Sequence, residues 1–565
     1  LASFELNDMS SYLLSSTIFI PLALSLLVLL LPAANQRVLW AISLFGSLWI
    51  LLASAWLYIQ YRGDLELIKV FASWFSLNLG QRGTLQFDFF LLADGLNLPL
   101  MLLSGISLTV ASLASWRVSE KPKAYFSLFL LLAASISGCF LAMDFLLFFL
   151  FFEFMLLPMY FLIGLWGGPR RAYASIKFFI YTLVGSLLIL MVMVGMYGNV
   201  LDVDRMAEGL GISVDEVKIS LLMNEIADTD KIFSVHFVDH SGGYSSLSGI
   251  NTAGGFLDTQ SDATLKGMSL RYWAFLLLLI GFLIKLPAVP FHTWLPDAHV
   301  EASTPISVIL AAVLLKIGGY GLFRIVYPAF PDAALHFTWW VALLGVVAII
   351  YGALNALAQH DLKKLVAYSS VSHMGFVLVG IASATEEGLN GAYYQLFSHG
   401  LISAMLFVLV GVLYDRVHDR SLSNFSGLAK LMPKFAILAG IAFFASLGLP
   451  GFSGFVAELM VLIGAFSAGF SDGAFPIWMA LAATAGLVLA AGYSLWAYQR
   501  VWMGPLFLRN EAWKASLPDL GNRELLMLIP LAFLTVLFGV FPNLLLSVLD
   551  TPMQILLDHL KDFRP

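Results

Sequence analysis

The chain has 565 residues, of which 60% are hydrophobic and 12% charged, against about 25% charged in ordinary globular domains, so it reads as a polytopic membrane protein and not as a soluble one. A formal charge of −6 decides little, because in such a chain the placement of charge matters more than its sum. The single cysteine, Cys139 in an apolar run, excludes an internal disulfide and a thiolate-ligated cluster and reads as a small core residue.

A helix needs about 20 apolar residues to cross a hydrocarbon layer of roughly 30 Å. Fourteen spans are expected in chain order: 13–33, 38–60, 92–116, 124–142, 145–167, 173–198, 271–299 (broken), 304–327, 335–358, 365–384, 389–414, 434–470 (broken), 476–503 and 525–549. No cleavable leader is evident in the first. Segment 62–90, with Trp74, Phe75, Leu77 and Leu79 among Arg62, Lys69 and Arg82, is too polar to cross and is expected at the membrane interface. The stretch 199–270 is the one long excursion. Between Asp202 and Lys266 it carries eleven acidic against four basic residues, has small-residue runs such as 241–246, and is expected to hold a short amphipathic helix over Val214–Leu222. It reads as an extracytoplasmic excursion packing on this chain or a neighbour, with a disordered insert as the alternative. Its His236 and His240 have no metal-site pattern around them.

Sixteen of the 30 Lys and Arg fall in connections that follow odd-numbered spans, among them Arg117, Arg170, Lys363, Arg420 and Arg523. The positive-inside rule then places that face in the cytoplasm and both termini outside, in a bacterial plasma membrane.

Two interruptions organise the chain. Lys285-Leu286-Pro287 breaks an apolar helix in the seventh span, and Leu449-Pro450-Gly451 breaks one in the twelfth. The stretches 124–327 and 335–503 each give five spans with the break in the fourth. An odd number of spans puts the two copies upside down to each other, with 1–123 before them and 504–565 after. Paired breaks of this kind point to an ion site near the midplane.

Ionisable residues collect at that depth: Glu153 after a run of phenylalanine and leucine, Lys177, Lys285, Lys316 and Glu458. Each costs roughly 2.5–3.5 kcal/mol alone in lipid on insertion scales, so they must face one another or water. His373 and His399, in serine-flanked helical stretches, give and accept protons near neutral pH and suit a relay through ordered water. The plainer alternatives are an inter-helix hydrogen bond for either histidine, snorkelling for Lys177, and static ion pairs for the rest. In general, burial discharges a lysine and protonates a carboxylate, while an approaching opposite charge does the reverse, so a moving partner can drive protons along such a row.

The stretch Leu286–Ala302 (LPAVPFHTWLPDAHVEA), with Lys316–Arg324 (KIGGYGLFR), Asp361–Gly375 (DLKKLVAYSSVSHMG) and Gly448–Phe452 (GLPGF), resembles the antiporter-like membrane subunits of respiratory complex I, over nearly all spans from 92 to 549. The resemblance implies an all-α membrane fold of fourteen helices with inverted five-helix repeats, and proton translocation without a redox centre in this chain. Flavin, iron–sulfur clusters and quinone would belong to partner subunits, beside neighbouring antiporter-like subunits in the same membrane. It implies Glu153 and Lys285 as the first pair, Lys316 as the connecting lysine, His373 and His399 as relay residues and Glu458 as the exit carrier. A glutamate after the second break, and a chain that stops at Pro565 without a long lateral helix, match the M or chain 4 type within that family. The acidic stretch 199–270 departs from the compact pattern. An ion-translocating subunit of a multisubunit Na+/H+ antiporter or membrane-bound hydrogenase is the alternative, and a non-transporting scaffold a third.

Overall fold

Backbone groups in lipid must satisfy one another, and the long apolar runs do so as helices. The computed structural model describes residues 2–32, 35–64, 67–223, 226–239, 242–244, 263–471 and 475–563. In chain order the main helices are α1 (Ala2–Leu30), α2 (Gln36–Asp64), α3 (Leu98–Ala114), α4 (Pro122–Leu141), α5 (Phe145–Trp166) and α6 (Arg171–Tyr197). Two short ones outside the membrane follow, α7 (Val203–Leu210) and α8 (Val214–Leu222). Then come α9 (Leu270–Lys285), α10 (Trp294–Glu301), α11 (Thr304–Ala329), α12 (Thr338–Leu357), α13 (Leu362–Ser383) and α14 (Glu386–Val417). The chain closes with α15 (Pro433–Ser446), α16 (Ser453–Ser471), α17 (Ile477–Trp502), α18 (Asn522–Val540) and α19 (Asn543–Lys561).

Among the described residues, 13 helices are long and apolar enough to cross a membrane. The seventh of the fourteen expected spans, 271–299, is not among them because its break leaves α9 with 16 residues and α10 with 8. The expected span 434–470 is likewise divided, into α15 and α16. The apolar central stretches of α11 and α14 are enclosed by the other helices, whereas α1, α6 and α18 turn broad apolar faces outward.

Three details differ from the sequence reading. Segment 62–90 is largely a β-hairpin, β1 (Ile68–Asn78) against β2 (Thr84–Ala93), antiparallel with a register shift between Ser73 and Phe75. Its alternating β-branched and aromatic residues favour a pleated strand, and Gly80 and Gly83 at positive φ close the turn. Phe87, Phe90, Leu91 and Leu92 of β2 are buried, while Trp74, Phe75 and Leu77 of β1 face outward. The third span therefore starts at Leu98 and not at 92, after a turn in which Asp94 Oδ1 accepts from the Leu96 and Asn97 amides at 3.0 and 3.1 Å. Finally, the expected span 525–549 stops at Val540, because a proline disfavours helical backbone at the residue before it, here Phe541-Pro542, and the chain restarts as α19.

The excursion packs on this chain where it is described. Helix α8 has the bounds its amphipathic pattern predicts and a capping box between Ser213 and Glu216. Strand β3 (Ile232–Phe233) pairs in parallel with β2, Arg205 Nη2 lies 2.9 Å from Asp88 Oδ1, and His236 Nε2 lies 2.9 Å from Asp88 Oδ2. His240 and, apart from 242–244, the small-residue run 241–246 lie outside the described residues. Asp144, also wholly buried here, caps α5 through Leu147 N at 2.9 Å and accepts from Tyr197 Oη at 3.0 Å. Burial pushes the Asp144 carboxyl up to about 6. Burial acts the same way on Asp88, but hydrogen bonds from His236 and Arg205 outweigh it and hold that carboxyl below its ordinary value.

Candidate functional site

At the first break several of the freed backbone groups find other partners. Pro287 lacks an N–H and its ring excludes the carbonyl one turn back. Leu286 N still reaches Phe282 O at 2.8 Å, Ala288 N skips to Leu283 O at 3.1 Å, and the Trp294 indole donates to Ile284 O at 2.8 Å. Lys285, 2% exposed, ends α9 with Nζ 4.5 Å from the centre of the Phe152 ring. The carboxylate of the next residue, Glu153, is within electrostatic reach of that ammonium, and its buried Oε1 has no hydrogen-bond partner among the described residues.

The second break repeats the skip, with Leu449 N on Phe444 O at 3.2 Å. Gly448 is at φ +76°, which favours glycine, and a Cβ there would sit 2.4 Å from Glu458 Oε2 and push the carboxylate aside. Glu458 is buried on α16 with Oε1 3.2 Å from His373 Nδ1. The approach is close but off the hydrogen-bond axis, so Oε1 lies beside the ring without a directed partner among the described residues.

Between the breaks lies Lys316 on α11, just after a widened π-helical turn at Leu310–Leu314. Its Nζ donates to Ala311 O at 2.6 Å and lies 2.7 Å from His399 Nδ1. Gly318 lets α11 approach the first break, since a Cβ there would lie 2.6 Å from Leu286 N. The His399 and His373 rings have centroids 5.5 Å apart. His373 Nε2 faces Ser446 Oγ at 3.2 Å, at the lip of the second break, and Tyr493 Oη at 3.3 Å.

Lys316, His399, His373 and Glu458 thus form one contiguous buried series drawn from α11, α14, α13 and α16. Glu153 and Lys285 lie together at the first break, and no hydrogen bond or ion pair joins the two sets among the described residues. Lys177 stands apart. It is paired with Asp297 at 2.8 Å, partly open to solvent, and belongs to neither set.

Two buried bases were missed by sequence reasoning. Lys363, counted there among the connection cations, is 7% exposed and donates to Ala302 O at 2.6 Å. It lines a cavity of about 310 Å³ with Glu301, Asp415, Arg420 and Arg523. His299 is wholly buried, lies flat on Phe407 with ring centroids 4.4 Å apart, and has no partner for either nitrogen among the described residues. The available signal was an imidazole ending a short helix next to a proline break. No group of three or more His, Cys, Asp or Glu placed to hold a metal occurs among the described residues.

A bundle of membrane helices, two of them broken beside buried lysine and glutamate, is the architecture of antiporter-like membrane proteins. The family described as NADH:quinone oxidoreductase/Mrp antiporter, TM, matches residues 142–227 and 217–487, and the chain belongs to that family. It is 40% identical to NADH-quinone oxidoreductase subunit M of Rhodobacter capsulatus, over 81% of this chain and 79% of that one. Among solved structures it resembles a chain of respiratory complex I from Thermus thermophilus, at 27% identity and TM-score 0.71 over 96% of this chain and 99% of that one. It shares its fold with a chain of the Mrp complex from Dietzia, at 21% identity and TM-score 0.74 over 97% and 98%.

Proposed function

We propose that this chain is the proton-translocating membrane subunit, of the M or chain 4 type, of an NADH:quinone oxidoreductase. Protons pass along Glu153, Lys285, Lys316, His399, His373 and Glu458, with water between. The observation that carries the reading is the contact of Lys316 Nζ with His399 Nδ1 at 2.7 Å, wholly enclosed by other helices. Two bases at that separation share one proton, and no carboxylate within ion-pair distance pins the charge on Lys316 among the described residues. A static ion pair would need such a partner.

The remaining parts follow that reading. Residues 124–327 and 335–503 act as inverted halves, each hinged at its break, with 1–123 and 504–565 as flanking helices. The face bearing Arg117, Arg170, Arg420 and Arg523 is cytoplasmic, and both termini with the 199–270 excursion are outside, in a bacterial plasma membrane. Electron transfer through flavin, iron–sulfur clusters and quinone takes place in partner subunits, and neighbouring antiporter-like subunits flank this one. The likeness to an NADH-quinone oxidoreductase subunit at 40% identity favours this over a Na+/H+ exchanger, where the likeness is one of fold.

The test is reconstitution of the complex containing this chain in proteoliposomes. Lys316→Met is expected to leave the subunits assembled while the ΔpH formed per NADH oxidised falls. Undiminished proton uptake by that variant would remove the reading.

A further inference from the structure

His373 meets more hydrogen-bonding groups than its relay role requires. Glu458 faces it from α16, Gln395 and His399 from α14, Ser446 from α15 and Tyr493 from α17, with Lys316 one step beyond His399. Two of these compete for one atom. Gln395 Nε2 lies 3.3 Å from His373 Nδ1, and Glu458 Oε1 lies 3.2 Å from the same Nδ1. An amide nitrogen only donates, so while Gln395 holds Nδ1 that atom is a bare lone pair, and the neutral ring carries its hydrogen on Nε2, toward Ser446 and Tyr493. A carboxylate and a bare ring nitrogen are both acceptors and have no proton to exchange. The other end of the amide, Gln395 Oε1, is buried with no hydrogen-bond partner among the described residues. An orphaned buried carbonyl is costly unless another state uses it.

Resting on the proposed proton path, we propose that Gln395 is the positioning residue that sets when His373 can exchange a proton with Glu458. Its amide offers N–H to Nδ1 while that atom is bare. After a half-turn about its last torsion it offers Oε1 when Nδ1 bears hydrogen. In the exchange the Nδ1–H bond breaks and an O–H bond forms at Glu458 Oε1, so imidazolium and carboxylate become imidazole and carboxylic acid, and the amide turns back. Transfer therefore starts only from the doubly protonated ring.

The experiment measures proton pumping against pH in proteoliposomes of the assembled complex for Gln395→Met, Gln395→Glu and His373→Gln. The methionine matches glutamine in length but forms no such bond, and is expected to pump about tenfold less with a displaced pH profile, the worth of one hydrogen bond to a charged group. Gln395→Glu, which donates and accepts when protonated, is expected to pump at low pH and fail as pH rises. If the methionine variant does not assemble, Gln395→Asn, one methylene short of Nδ1, takes its place with the same expectation. Wild-type pumping by Gln395→Met, or reduced pumping with an unchanged pH profile, overturns the positioning role while an inactive His373→Gln leaves the path standing. If His373→Gln pumps normally, the path itself is what fails.

Discussion

Lys316 and His399 approach to 2.7 Å across the two most enclosed helices of the molecule, with Nζ also fixed to Ala311 O. Each is the other's hydrogen-bonding partner on the facing helix. Lys316→Met and His399→Gln should each cut proton pumping about 10²-fold, the lower range for a lost acid–base group. The double variant should be no worse than either single one. ΔpH formation by the four complexes checks this, and additive losses would show that the two act separately.

Gly448→Ala should damage the second break on two grounds. The positive φ alone disfavours an L side chain by roughly 1–2 kcal/mol, and the new methyl would displace the Glu458 carboxylate. A lower melting temperature of the detergent-solubilised complex, together with weakened pumping, is the expected result. Gly451→Ala, also at positive φ but with nothing near its missing Cβ, should lower stability and spare pumping.

Trp294→Phe keeps the aromatic volume and removes the donor to Ile284 O. A buried carbonyl left without a partner costs about 1–3 kcal/mol, so the complex should melt earlier. The loss should be larger than for Trp339→Phe, at an outward-facing position.

The contact between hairpin and excursion should respond to pH through opposing carboxyls. Asp144, raised to about 6, binds its proton more tightly folded than unfolded, so its contribution is most favourable in acid and declines as pH rises through about 6. Asp88, lowered below its ordinary value, stabilises above that value and loses its contribution as pH falls. At pH 7.5, Asp144→Asn should therefore slow protease cleavage within the described part of 199–239, and Asp88→Asn should speed it.

Lys177→Met should leave pumping intact, because its charge is spent on Asp297 at the edge of the bundle. Pumping assays against Lys285→Met, expected to be inactive, make the comparison.

The spans were legible because a run of apolar residues in lipid has few alternatives to a helix. The breaks were legible because proline and glycine act locally, so the Pro287 and Pro450 interruptions lie where the residues announce them. The hairpin was not, since Trp74, Phe75 and Leu77 among charges suit an interfacial helix as well as a strand that pairs Phe75 with Phe87 and Leu77 with Leu85. Lys363 was misread for a related reason. Position in a connection says nothing about a neighbour such as Ala302, 61 residues earlier, closing over the ammonium. For Lys177, near the start of its span, snorkelling was the plainer alternative, and the structure gives it a partner no local pattern announces, the Asp297 side chain 120 residues distant.

Just past the widened turn at Leu310–Leu314 the Lys316 side chain reaches back to the Ala311 carbonyl five residues earlier, so Lys316 is moored to its own helix. A base on so short a tether has no room to swing as an arm. Whatever stroke Lys316 makes is measured in single bonds traded between the neighbours it already touches.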